Sequence, residues 1–154
     1  MSDTTLRIAA APRATFDYLA DPRNRPEWQS SLRSVELLTD GPPRVGTRWI
    51  DRTTIGAAPR LEIVEMTPPA ADGATAGAWT EVGRWRGLTA RLTLTFDAVA
   101  ADPGATDLGI VVAISGAGLW RGPAAVTRQL APPAIRADLR RAARIVEAGA
   151  RGDR

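Results

Sequence analysis

The stretch Ile135-Arg-Ala-Asp-Leu-Arg-Arg-Ala-Ala-Arg-Ile-Val146 decides the fold. Ile135, Leu139, Ala142, Ala143 and Val146 recur at helical spacing and make one apolar stripe. Arg136, Arg140 and Arg144 make an i, i+4 row on another face. That row reads as solvated; an anionic membrane surface is the other neighbour it would suit. Twelve residues give about three turns, roughly 18 Å. Such a stripe must lie on something, and the rest of the chain offers mostly strands.

Working back from it, Pro132 and Pro133 predict a break or kink. They follow a shorter helical run from Leu119 to Leu130, with Pro123 near its first turn. Before that come strands. Leu88–Val99 alternates most cleanly, with Leu88, Ala90, Leu92, Leu94 and Phe96 set against Thr89, Arg91, Thr93, Thr95 and Asp97. Leu108, Ile110, Val112 and Ile114 alternate in the last strand, after a hairpin loop at Ala101–Ala105. Leu32–Leu38, Thr47–Ile55, Arg60–Thr67 and Ala78–Trp85 are further strands, and Leu6 and Ile8 mark the first. Between the first and second strands, Ala11-Pro12 opens a short helix and Asp21-Pro22 begins another, through Pro26-Glu27-Trp28. Short links predict an antiparallel sheet. Its apolar face needs a cover, which only the terminal helix and the helical corner can supply. The expected class is therefore α+β: a curved seven-stranded antiparallel sheet around a long C-terminal helix. The helix is expected to end near Gly149, with residues 150–154 a frayed tail. No repeat or second domain is visible in residues 1–154.

Composition narrows the chemistry. The chain contains no His, Cys or Lys, and only one Tyr, Tyr18. A Ser–His or Cys–His nucleophile system and a His or Cys metal site are thereby excluded. Catalysis would fall to Asp, Glu, Arg, Ser, Thr, Tyr18 or held water, and nothing calls for a cofactor. The net charge is +3, from Arg interleaved with acids and without a basic, aromatic-rich block, which argues against nucleic acid. There is no apolar run of membrane-spanning length and no signal-peptide pattern, so the expected setting is cytoplasmic.

Two strands carry a carboxylate with their greasier set. On Thr47–Ile55 that set is Trp49, Asp51, Thr53 and Ile55; on Ala78–Trp85 it is Trp79, Glu81, Gly83 and Trp85. Facing these sets inward makes Asp51 and Glu81 the acid/base candidates. They would sit about 10 Å apart across one intervening strand, a spacing that flanks a ligand. Desolvation would raise their pKa values. The other register, or a bulge, turns both acids to solvent. On Arg60–Thr67 the two faces are not distinguishable.

The order of these pieces resembles the Bet v 1-like superfamily, also called SRPBCC or START-like, and within it the polyketide cyclase/dehydrase and lipid-transport group. The resembling residues are Ala11-Pro12, Leu19-Ala20-Asp21-Pro22, Pro26-Glu27-Trp28, Val45-Gly46-Thr47-Arg48, Val64-Glu65-Met66-Thr67-Pro68-Pro69, Gly104-Ala105-Thr106-Asp107 and the terminal helix. The resemblance implies a helix-grip fold with a hydrophobic cavity between sheet and helix. It also implies an apolar small-molecule ligand, with Trp28 near the pocket wall. The candidate lining set is Tyr18, Trp28, Trp49, Trp79, Trp85, Leu92, Leu94, Phe96, Ile135 and Leu139. The strand tryptophans and Leu139 serve packing first. Aromatic-type cyclases of the family use a middle-strand Arg with Tyr or His partners. This chain departs from that pattern, having no His and, on that strand, Arg only at its start. The expected functions are a hydrophobic-ligand carrier, a polyketide cyclase or dehydratase using a cavity carboxylate, or an interaction module using the outer sheet face. Whether the chain forms a homodimer is left open by its sequence.

Overall fold

The computed structural model describes residues 2–152. Seven strands form one antiparallel sheet: β1 Ser2–Ile8, β2 Leu32–Leu37, β3 Arg48–Thr53, β4 Arg60–Thr67, β5 Gly77–Trp85, β6 Leu88–Val99 and β7 Asp102–Gly116. Their spatial order is β1-β7-β6-β5-β4-β3-β2. Helices α1 (Pro12–Leu19) and α2 (Arg25–Trp28) stand between β1 and β2, with a 3-10 turn at Pro22–Asn24 between them. Helix α3 (Arg121–Gly152) closes the chain across the apolar sheet face, giving a helix-grip fold.

The periodicity explains the packing. On β6, Leu92, Leu94 and Phe96 are buried, and Phe96 meets Phe16 of α1 edge-on at 5.1 Å. From α3, Leu139, Ala142, Ala143 and Val146 enter the same core. Two polar ties hold this helix in place. The Glu147 carboxylate accepts the Ala9 amide at 2.9 Å, and the Asp138 carboxylate accepts the Ser30 amide at 3.1 Å.

Several expectations need correction. Of the break or kink expected at Pro132 and Pro133, the break does not occur, and helix α3 continues through both. Their missing N–H groups free the carbonyls of Arg128 and Gln129. Both residues are exposed, so water can take those bonds. The helix also continues past Gly149 to Gly152, and the last two residues of the expected tail, 153 and 154, lie outside the described residues. Ile55 does not face inward. Strand β3 ends at Thr53, the chain turns through Gly56 at positive φ, and Ile55 is 88% exposed at the tip. The loop expected at Ala101–Ala105 is mostly strand, because β7 already pairs at Asp102, across a bulge at Ala98/Val99. On β4 the ambiguity has a physical cause. Leu61 and Ile63 point inward, a bulge follows between Ile63 and Glu65, and Met66 then packs against the core.

Beyond β7 the chain turns tightly. A Cβ on Gly116 would lie 2.2 Å from the Trp120 carbonyl oxygen and 2.8 Å from the Ala124 side chain. Gly116→Ala is therefore expected to cost about 1–3 kcal/mol by overpacking. A thermal melt should show Tm falling by roughly 2–4 °C per kcal/mol.

Candidate functional site

The site begins with Arg25. Asp21 caps the 3-10 turn by accepting the Arg23 amide at 3.0 Å, and Arg25 then opens α2 with Pro26 in its first turn. This local geometry brings the side chain of Arg25 beneath the sheet, where it is only 3% exposed. Its Nη1 donates to Glu81 Oε2 at 2.8 Å and its Nη2 donates to Asp51 Oδ2 at 2.9 Å. Asp51 Oδ1 also accepts the Trp49 indole N–H at 2.9 Å. The guanidinium carbon lies 5.4 Å from the Trp49 ring centre and 5.7 Å from that of Trp28, within cation–π range.

Asp51 and Glu81 thus face inward, on strands separated by β4. They do not stand apart on either side of a vacant ligand space, because Arg25 bridges them. With both acids ionised the triad carries a net charge of −1. Burial pushes the Glu81 carboxyl up and the Asp51 charge adds to this. The Arg25 charge and hydrogen bond oppose it, leaving Glu81 raised from 4.5 to about 7. For Arg25, burial alone would lower the pKa, but the two carboxylates outweigh it and the guanidinium is held protonated more firmly than usual. Glu81 is therefore the group of the triad that exchanges a proton near neutrality.

This charged corner borders a mostly apolar cavity of about 280 Å³. Leu61, Leu92, Val112 and Ile114 wall it on the sheet side, and Thr127, Ala131 and Ile135 on the helix side. The hollow has a simple origin. The second half of α3 fills the core with Leu139 and Val146, whereas the first half offers the smaller Thr127 and Ala131 there. Among the lining residues, Ala90 and Arg91 are exposed and Thr127, Ala131 and Ile135 are half-buried. The mouth consequently lies between the β5–β6 hairpin and α3.

Of the sequence-selected residues, Asp51, Glu81, Trp28, Trp85, Leu92 and Ile135 meet around this cavity. The others do not line it. Trp49, Trp79, Leu94, Phe96 and Leu139 are packed inside the solid part of the core. Tyr18 points to the surface corner, where its hydroxyl donates to Glu27 Oε2 at 2.8 Å; burial and that carboxylate raise its pKa. Arg25 escaped the sequence reading. A signal for it existed, since two inward carboxylates require a cation and the buried helical corner is the nearest source of one. Trp120 packs edge-on to Trp85 at 6.0 Å and anchors the hairpin.

A sheet gripping one long helix, with an apolar hollow between them, defines a helix-grip protein. The family model for polyketide cyclase / dehydrase and lipid transport matches residues 2–148, and the chain belongs to that family. No curated protein matches it in sequence. Among solved structures it is similar to the hypothetical protein jhp0584 from Helicobacter pylori, with TM-score 0.70, 12% identity, and coverage of 94% of this chain and 86% of that one. It is also similar to the Zhui aromatase/cyclase from Streptomyces sp. R1128, with TM-score 0.65, 15% identity and coverage of 95% and 92%. Ara h 8.0201 is a third, with TM-score 0.66, 16% identity and coverage of 96% and 97%. At these identities the likeness concerns the fold.

Proposed function

We propose that this chain binds a hydrophobic small molecule in the cavity between sheet and α3, with one polar group of the guest at the Arg25–Asp51–Glu81 corner. The observation that carries this reading is the contrast within a single cavity, whose apolar walls end in one buried ionic cluster. About 280 Å³ is at the lower end of small-molecule sites. A guest of one or two rings, or a short chain, suits it better than a long lipid.

Trp28 and Trp85 border the cavity, so binding should be visible in indole emission. Titration with 1-naphthol, an apolar compound with one hydroxyl, is expected to quench emission saturably. Ala131→Phe, which fills the cavity from the helix side, should weaken binding at least tenfold while leaving the far-UV CD spectrum unchanged. Native mass spectrometry of protein purified from its source would then identify the resident guest. Equal quenching in the parent and Ala131→Phe would remove the cavity from consideration as the binding site.

A second reading, a cyclase- or dehydratase-type enzyme, is favoured by the burial of Glu81 at the cavity edge, which pushes its carboxyl up to about 7. A general acid or base is most effective with a pKa near the working pH. In that role Glu81 would give a proton to, or take one from, an oxygen-bearing guest, and Arg25 would hold the carboxylate in position.

A further inference from the structure

The outward face of the first half of α3 is unusual for a surface helix. Val126, Leu130, Pro133 and Ala137 recur at intervals of four, three and four on the side turned away from the sheet, and all are exposed. Leu130 is 65% exposed and Leu119, just before the helix, 97%. Farther along the same face the side chains become Arg140 and Arg144, both exposed. No Asp or Glu occurs between Leu108 and Ala137, and Arg136 flanks the apolar face. The adjoining hairpin adds Arg86, whose guanidinium lies 4.9 Å from the Trp85 ring centre and 5.9 Å from that of Trp120. Asp138, the next acid along the helix, is already occupied by the Ser30 amide.

We infer that this face docks on an anionic bilayer surface. An apolar helix face bordered by arginines and free of acids is the pattern of a helix lying in the membrane interface. Aliphatic side chains enter the headgroup boundary while guanidinium groups meet lipid phosphates. Among the described residues no helix is long and apolar enough to cross a membrane, so the contact is peripheral. Charge decides against a second copy of this chain, because a two-fold contact through this face would oppose arginine to arginine with no acid to pair. A polyanionic nucleic acid would use the arginines but not the aliphatic face. The docked face adjoins the cavity mouth, since Thr127, Ala131 and Ile135 on the same helix line the cavity. Docking itself does not depend on the cavity being occupied.

Flotation with phosphatidylcholine vesicles, with and without phosphatidylglycerol, tests this on the full chain. Binding is expected only when the anionic lipid is present, and should weaken with added salt. Arg140→Gln with Arg144→Gln, which removes the two arginines on this face, should lower partitioning by roughly fivefold per arginine. Val126→Ser with Leu130→Ser should lower it by about tenfold or more from lost apolar burial. These positions are exposed, so the melting temperature should stay unchanged. Several results would overturn the inference: no vesicle binding, equal binding to neutral vesicles, or full binding by the serine variant. A dimer in sedimentation equilibrium that the serine variant abolishes would assign the face to a second copy. Nucleic-acid binding that the serine variant retains, without vesicle binding, would assign it to that partner.

Discussion

Arg25→Leu is expected to destabilise the protein by about 3–5 kcal/mol at pH 8, the usual cost of removing one partner from a buried ion network. The penalty follows from what remains. Asp51 and Glu81 would keep their places under the sheet without the guanidinium that bridges them. A buried carboxylate without a counter-charge must either take up a proton or draw in water, and both cost free energy. The loss should therefore be smaller at pH 4.5, where protonation relieves part of the repulsion. Urea unfolding at the two pH values measures this directly. Adding Asp51→Asn and Glu81→Gln to Arg25→Leu should recover most of the stability, because no buried charge is then left unpaired. If Arg25→Leu leaves the urea midpoint at pH 8 where it was, the triad is not a buried ionic unit and the charged corner of the site is lost with it.

Glu81→Gln is expected to act in the opposite sense on stability. The Glu81 carboxyl rises from 4.5 to about 7 on folding, so the folded chain holds a proton that the unfolded chain has released between those values. Its contribution to stability is accordingly greatest below about pH 4.5. It declines as pH rises and levels off above 7. Glu81→Gln removes this decline and leaves Arg25 paired with Asp51 alone. The variant should match the parent near pH 4.5 and exceed it by about 3 kcal/mol at pH 8. Urea midpoints across this range are the measurement, and a parent whose stability rises from pH 5 to 8 more steeply than the variant's would contradict the assignment. The same substitution separates carrier from enzyme. A carrier should keep its affinity for 1-naphthol within a few-fold, whereas an enzyme that relies on Glu81 should lose about 10²–10⁴ in turnover while still binding.

Much of this molecule is legible in its sequence, for identifiable reasons. Leu88–Val99 alternates so regularly that strand, face and extent follow from it, and β6 covers those residues. The stripe ending at Val146 required a covering sheet, and the core holds Leu139, Ala142, Ala143 and Val146. For Asp51 and Glu81 the sequence leaves two registers open; the shared tryptophan face points to the inward one, and the burial of both acids selects it. β4 resisted because its bulge changes the side-chain phase midway along the strand. The double proline predicts a break that does not occur, because the carbonyls it frees, on Arg128 and Gln129, are on exposed residues where water can take their bonds.

The amino-acid order by itself determined most of the elements, the apolar faces of the regularly alternating ones, the family pattern and the absence of histidine, cysteine and lysine chemistry. Those properties depend on residue type and on spacing within a few turns or a single strand. Only the tertiary structure decided that Arg25 joins two acids from distant strands, and that the hollow lies beneath the first half of α3 and reaches only the start of the stripe, at Ile135. Both depend on how side chains from separate elements meet in space: ion pairing forms where three elements converge, and empty volume remains where facing side chains are too small to fill it. A one-dimensional period carries neither quantity.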